Sequence, residues 1–255
     1  MATVAELRKD LKATTVPTEL ADCLIKNASP LWLSSDTAAD LAGDLALCHP
    51  ALKRDEVRAR AVATDDAWRL TVVAHDRKGL LADTAAILSA RGYIFTGASV
   101  ATWDDLDLAL HAITVGGPIP SDEQLDEIGG ALRAANTGAP PALSYTPIGR
   151  AYVSRSGEAN GHPMITVVAP VQNGLLATIC RWLAEHDASI GTAWIAGEGD
   201  DANDVFVLDK DVDVVALERF LSTEHDGNIA EVVGSMITDA RKAGEAFVRR
   251  LLGRK

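Results

Sequence analysis

Thr71-Val72-Val73-Ala74-His75-Asp76-Arg77-Lys78-Gly79-Leu80-Leu81-Ala82 is echoed 95 positions later by Thr166-Val167-Val168-Ala169-Pro170-Val171-Gln172-Asn173-Gly174-Leu175-Leu176-Ala177. Extended to Leu88 and Leu183, the two stretches share nine of eighteen positions without a gap, where residue frequencies alone give roughly one. The chain therefore holds an internal duplication. Each copy reads as an apolar, β-branched run, a short loop closed by glycine, then apolar residues at helical spacing: a strand running straight into a helix N-terminus. Such a junction suits small anions, because glycine lets a ligand approach the backbone and the first-turn N–H groups have no partner within the helix.

Outward from that junction, the first copy predicts strands over 68–75, 93–102 and 106–115 and helices over 79–91 and 121–135. Ser121 and Gln124 form a capping box at the second helix. A glycine- and proline-rich loop over 136–147 leads to a fourth strand over 148–154, completing the order βαββαβ. The second copy repeats the plan with a strand over 164–169, a helix over 174–187, strands over 188–197 and 203–209, and a helix over 212–223. Its last strand is not legible. Residues 1–64 read as a helical segment, with Thr18 and Ser34-Ser35-Asp36 as N-caps and the charged run Lys53 to Arg60 as the lead-in to the first module. Ile229, Val233, Met236, Ala240, Ala243, Phe247 and Leu251 follow spacings of four and three, which predicts an amphipathic C-terminal helix packed on its own domain or at a dimer contact. The fold class is α+β, divided as 1–64, 65–155, 156–225 and 226–255.

Composition narrows the partners. The 255 residues are 47% hydrophobic, enough for two small cores, and carry a net charge of −12. Nucleic-acid backbones and anionic lipid surfaces would be repelled on average, so neither nucleic acid nor membrane is an expected partner. No apolar stretch approaches the roughly 20 residues of a membrane span, and Met-Ala-Thr-Val-Ala-Glu lacks a signal peptide's features. The expected location is cytoplasmic. Cys23, Cys48 and Cys180 are too scattered for a zinc site and read as buried thiols.

Two βαββαβ units, each with an Ala-x4-Gly-Leu-Leu-Ala turn, resemble ACT domains, the ferredoxin-like modules that sense amino acids and related metabolites. Val72 to Thr84 followed by Ala98-Ser99-Val100-Ala101-Thr102 is similar to the tandem regulatory ACT region at the C-terminus of the bifunctional uridylyltransferase/uridylyl-removing enzymes of nitrogen signalling. Those enzymes usually carry proline where Lys78 stands. Their nucleotidyltransferase glycine-serine pair with nearby aspartates, and their phosphohydrolase histidine-aspartate pair, are not found in this sequence. His75-Asp76, His186-Asp187 and His225-Asp226 sit at strand or helix ends and read as solvated residues, without convergent metal ligands. The resemblance implies the sensor portion of such an enzyme: no catalysis, no cofactor, no metal, a homo-oligomer, and a regulated protein partner.

The expected ligand is an amino acid. In the first loop, the N–H groups of Gly79 and Leu80 suit its carboxylate, Asp76 suits its ammonium, and Arg77 lies alongside. In the second loop Val171 and Gln172 replace Asp76 and Arg77, so Asn173, Gly174 and Leu175 form a weaker site with no charge for the ammonium. An alternative reading has both glycines simply closing tight turns in a structural or interaction module with decayed sites. An enzyme of unknown type rests only on the polar cluster His75, Asp76, Arg77 and Lys78. Trp103, Trp182 and Trp194 read as core or interface residues, with Trp103 also placed to line a site.

Overall fold

The computed structural model describes residues 3–222 apart from 29, 34, 65, 66, 139, 144 and 199; the predicted C-terminal helix over 226–255 lies outside the described residues. The chain opens with helices α1 (Val4–Leu11), α2 (Thr18–Asn27), α3 (Pro30–Leu33) and α4 (Ala38–Ala46). Thr3 and Glu6 form a capping box at α1, and Pro17 holds the N-cap place of α2, making Thr18 its first helical residue. At α4 the cap is Thr37, whose hydroxyl accepts from the Asp40 N–H, one residue beyond the run nominated by the sequence.

The first copy comprises β1 (Val57–Ala63), β2 (Ala67–His75), α5 (Leu80–Ser89), β3 (Phe95–Trp103), β4 (Leu108–Gly116) and α6 (Asp122–Thr137). The second comprises β5 (Tyr152–Ala159), β6 (His162–Pro170), α7 (Leu175–Glu185), β7 (Ile190–Glu198), β8 (Asp201–Leu208) and α8 (Val214–Leu221). The predicted capping box at Ser121 is present at α6.

Each copy therefore runs ββαββα along the chain, which corrects the βαββαβ order. The strand expected over 148–154 appears as β5; it pairs antiparallel with β6 and opens the second copy. Its counterpart in the first copy is β1, inside the segment read as helical. The physical reason is alternation: Val57 and Ala61 join the apolar core on one side. On the other, Arg58 donates to the carbonyls of Leu47 and Pro50 at 2.8 and 2.6 Å, and Arg60 to Asp44 at 3.3 Å. The arginines made a half-buried strand look like a solvated lead-in.

All eight strands form one antiparallel sheet in the order β1-β2-β4-β3-β7-β8-β6-β5. The two copies meet where β3 pairs with β7, through Gly97 and Ala196, Ala98 and Ile195, and Ser99 and Trp194. α5 packs against α7 across that junction, and the helices α5 to α8 share one apolar core with the sheet.

On the opposite face the N-terminal helices cover the first copy, with Leu24, Trp32, Leu41 and Leu45 packed around Val73, Ala101 and Leu110. Trp103 belongs to this layer: its indole N–H donates to the Leu24 carbonyl at 2.9 Å and its ring meets Trp32 edge-on at 5.9 Å, so it lines no site. Arg69, 5% exposed, donates to the two carboxylate oxygens of the fully buried Asp44 at 2.6 and 2.5 Å and to Asp36 at 2.9 Å. Met164 takes the place of Arg69 in the second copy, and no arginine there calls for a helix bearing acids.

Candidate functional site

The two strand-to-helix junctions are built alike. Gly79 and Gly174 occupy the N-cap positions of α5 and α7 with φ of +79° and +86°, a left-handed conformation that costs a side chain about 1–2 kcal/mol. Neither helix start has a side-chain cap. The turn closes on itself, since Leu80 N–H donates to the Arg77 carbonyl at 3.2 Å and Leu175 N–H to the Gln172 carbonyl at 3.4 Å. The Leu80 and Leu175 donors assigned to a ligand are therefore engaged in the turns.

Beneath each junction lies a small cavity shared by both copies. The first, about 40 Å³, is lined by Asp76, Gly79, Leu81 and His111 from the first copy and by Cys180 and Ser189 from the second. The second, about 30 Å³, is lined by Gln172, Leu175, Leu176 and Asp204 from the second copy and by Ile94 and Phe95 from the first. The duplication thus repeats the cavity as well as the fold.

Side chains from each loop cross to the other copy. Lys78 Nζ donates to Asp187 at 2.7 Å, just past α7, and Asn173 Nδ2 donates to the Ser89 carbonyl at 2.7 Å, at the end of α5. Lys78 and Asn173 stand at equivalent positions, so these ties are the same device made twice. The first is exposed and screened by water; the second is half-buried. One of the two amide N–H donors of Asn173 is engaged in this tie.

Arg77 is likewise committed. Its guanidinium donates to Asp83 at 2.7 Å, to the Ala135 carbonyl at 3.1 Å and to Asn136 at 3.2 Å. Asp83, 4% exposed, also accepts from Arg181 of α7 at 2.7 Å, so one buried carboxylate gathers arginines from both copies.

Asp76 remains outward-facing, next to a wider cleft of about 350 Å³ lined by Arg54, Asp55, His75, Asp107 and Asn136. Although the residue is exposed, its carboxyl is pushed above the ordinary range by partial loss of hydration and by neighbouring Asp104 and Asp107, against the Arg77 backbone N–H, which lowers it. His75 contacts the Asp107 carboxylate through Nδ1 at 3.0 Å. Among the described residues no group of histidines, cysteines and acids is placed to hold a metal ion.

Two residues in the cavities were missed by the sequence reading. His111 on β4 is 2% exposed, and its Nδ1 has no hydrogen-bond partner among the described residues. Burial, aided by the positive charge of Arg77, pushes the imidazole down to about 3, so it is neutral at physiological pH. Asp204 on β8 is 1% exposed, and its Oδ1 has no partner among the described residues. Burial pushes its carboxyl up to about 8, with an Ala196 backbone N–H pulling the other way. The signal was present in the sequence: each is the one titratable residue on the core-facing side of its strand, at Leu108-Ala109-Leu110-His111-Ala112-Ile113 and Asp201-Ala202-Asn203-Asp204-Val205-Phe206-Val207.

The remaining candidates are structural. Trp182 stacks on His186 with ring centroids 3.7 Å apart. Cys23 is half-buried, while Cys48 and Cys180 are buried. Loss of hydration pushes the Cys48 thiol up to about 12, and burial followed by the nearby Asp204 raises Cys180 well above its usual range, which suits neither as a nucleophile.

Comparison with protein-family models, curated proteins and solved structures finds no significant match for this chain. No helix among the described residues is long and apolar enough to cross a membrane.

Proposed function

We propose that this chain is a non-catalytic, cytoplasmic sensor of amino acids or closely related metabolites, connected to nitrogen or amino-acid metabolism. In this reading each copy is a ferredoxin-like, ACT-type unit whose usual last strand comes first in the chain, since β1-β2-β4-β3 and β5-β6-β8-β7 reproduce the spatial order of such a unit. The observation that carries the reading is the first cavity. It combines an uncapped helix start, a left-handed glycine and the acid Asp76 with walls drawn from both copies. A ligand there touches two bodies at once, so its affinity depends on their relative placement, and that dependence is what couples binding to a partner.

The first-turn N–H groups of Leu81 and Ala82 take the carboxylate, in place of the engaged Leu80, and Asp76 takes the ammonium. A cavity of about 40 Å³ admits the charged end of a small amino acid; the rest lies in the adjoining cleft on the other side of Asp76 and Arg77. A homo-oligomer through the outer strands β1 and β5 completes the proposal, because unpaired sheet edges invite a partner.

Thermal-shift measurements over the amino acids test it, since a ligand at about 100 times its Kd adds about 2.7 kcal/mol to stability. Asp76→Ala should then weaken the active compound by about 10- to 150-fold. If no amino acid raises Tm, the chain is instead an interaction module with decayed sites. That second reading draws on the commitment of Arg77 to Asp83 and of Asn173 to Ser89.

A further inference from the structure

The second cavity differs from the first in its ionisable lining, since the first is also bordered by Asp76, Arg77 and Lys78. Where His111 of the first presents a neutral imidazole, the equivalent position of the second presents a carboxyl, from Asp204, the only ionisable group lining it among the described residues. Phe95, Val171, Leu175, Leu176 and Ile195 make its walls apolar, and no basic residue lines it among the described residues. Asp204 is 1% exposed, yet its Oδ1 meets no donor among the described residues. A buried carboxyl oxygen without a donor is costly to keep, even where an Ala196 backbone N–H serves the same carboxyl, and such an atom in a native fold calls for a function.

We propose that the second cavity binds the ammonium head of a small primary amine, with Asp204 as its counter-ion. The argument is one of complementarity. An ammonium supplies N–H donors to the unpartnered oxygen, its positive charge meets no competing cation, and Phe95 adds an aromatic wall of the kind that tolerates a cation. A cavity of about 30 Å³ admits an ammonium with a short alkyl stem, and the apolar walls accept the stem. This goes beyond the amino-acid reading of the first cavity and stands independently of it. It also reverses the expectation that the second loop has no charge for an ammonium: the charge comes from β8, not from the loop.

Binding is coupled to a proton. With its carboxyl pushed up to about 8, Asp204 is protonated at neutral pH, so the O–H bond breaks and the proton leaves to solvent as the ammonium N–H takes its place. The titratable neighbour facing Asp204 is the Cys180 thiol of α7; the residues facing it from β6, β7 and the loop, Val167, Ile195 and Gln172, do not titrate.

The test is calorimetric titration of the full chain with ethylammonium and tetramethylammonium chlorides, in buffers of different ionisation heat. Ethylammonium should bind with release of about one proton below pH 8, and its affinity should fall about tenfold per pH unit of acidification. Tetramethylammonium, lacking N–H donors, should bind at least tenfold more weakly, and Asp204→Asn should weaken ethylammonium by about tenfold or more. Because Asn keeps the shape of the side chain and removes the ionisable group, the variant remains folded and the comparison readable. Failure of ethylammonium to bind the unaltered chain, or equal affinity in Asp204→Asn, overturns the proposal. Ethylammonium binding alongside a silent amino-acid screen removes the reading of the first cavity and leaves this one standing.

Discussion

His111 and Asp204 occupy equivalent places in the two copies: His111 lies opposite Val72 in the β2–β4 ladder, and Asp204 lies opposite Val167 in the β6–β8 ladder. Both point to the helix-covered side of the sheet, both line a cavity between the copies, and both keep a buried polar atom without a partner. A duplicated fold has thus placed a base at this position in one cavity and an acid at the same position in the other. Burial favours the neutral form of each, and this has opposite consequences for pH dependence.

For His111 the folded-state value of about 3 lies below the ordinary 6.5, so the unfolded chain takes up the proton first on acidification. The stability associated with its neutral form is present above pH 6.5 and is lost as pH falls toward 3, at about 1.4 kcal/mol per pH unit. His111→Leu should flatten this part of the Tm–pH curve between pH 6 and 4 by a corresponding amount. An unchanged slope would mean that the imidazole is hydrated in solution.

For Asp204 the sign is reversed. Its folded-state value of about 8 exceeds the ordinary 3.8, so its contribution is fully present below 3.8 and is lost as pH rises through that interval. Asp204→Asn should therefore raise Tm, and by more at pH 7.5 than at pH 5. A variant that is less stable at both values would show that the carboxylate is paired and ionised.

Asp83 joins the copies through Arg77 and Arg181, both at 2.7 Å. Replacing it with alanine leaves two arginines without their shared acid and should cost about 3–5 kcal/mol, measured by urea unfolding. A loss below about 1 kcal/mol would identify the cluster as screened by solvent, as surface pairs are.

Two glycines should respond oppositely to the same change. At Gly79 an added Cβ has room, its nearest neighbour being Ala184 Cβ at 3.9 Å, but φ of +79° penalises it, so Gly79→Ala should cost about 1–2 kcal/mol. Gly130 lies within α6, with nothing within 4 Å of an added Cβ, and Gly130→Ala should stabilise the chain by about 0.5–1 kcal/mol. Thermal melts of the two variants side by side decide whether the left-handed turn, rather than packing, explains the glycine in the loop.

The duplication, the strand-to-helix junctions at Gly79 and Gly174 and the capping box at Ser121 were all legible in the sequence, because each depends on residues within a few positions of one another. The partner of a strand is not local information. The alternation in β1 and in β5 shows that each has a buried side, but nothing in a two-residue period says that β5 lies beside β6 rather than completing the first copy. The cavities depend on still longer distances: Asn173 reaches Ser89, 84 residues away, and Lys78 reaches Asp187, 109 residues away. His111 and Asp204 each sit among apolar residues on one side of a strand, and the sequence reading passed over both, because whether such a residue finds a partner or faces an opening depends on what the opposite copy packs against it. Sequence determined the repeated strand-to-helix junction and its turn; only the tertiary structure placed β1 and β5 first in their copies, and the joining of β3 to β7, with α5 against α7, decided that the turns would overlie shared cavities and which charges would stand inside them.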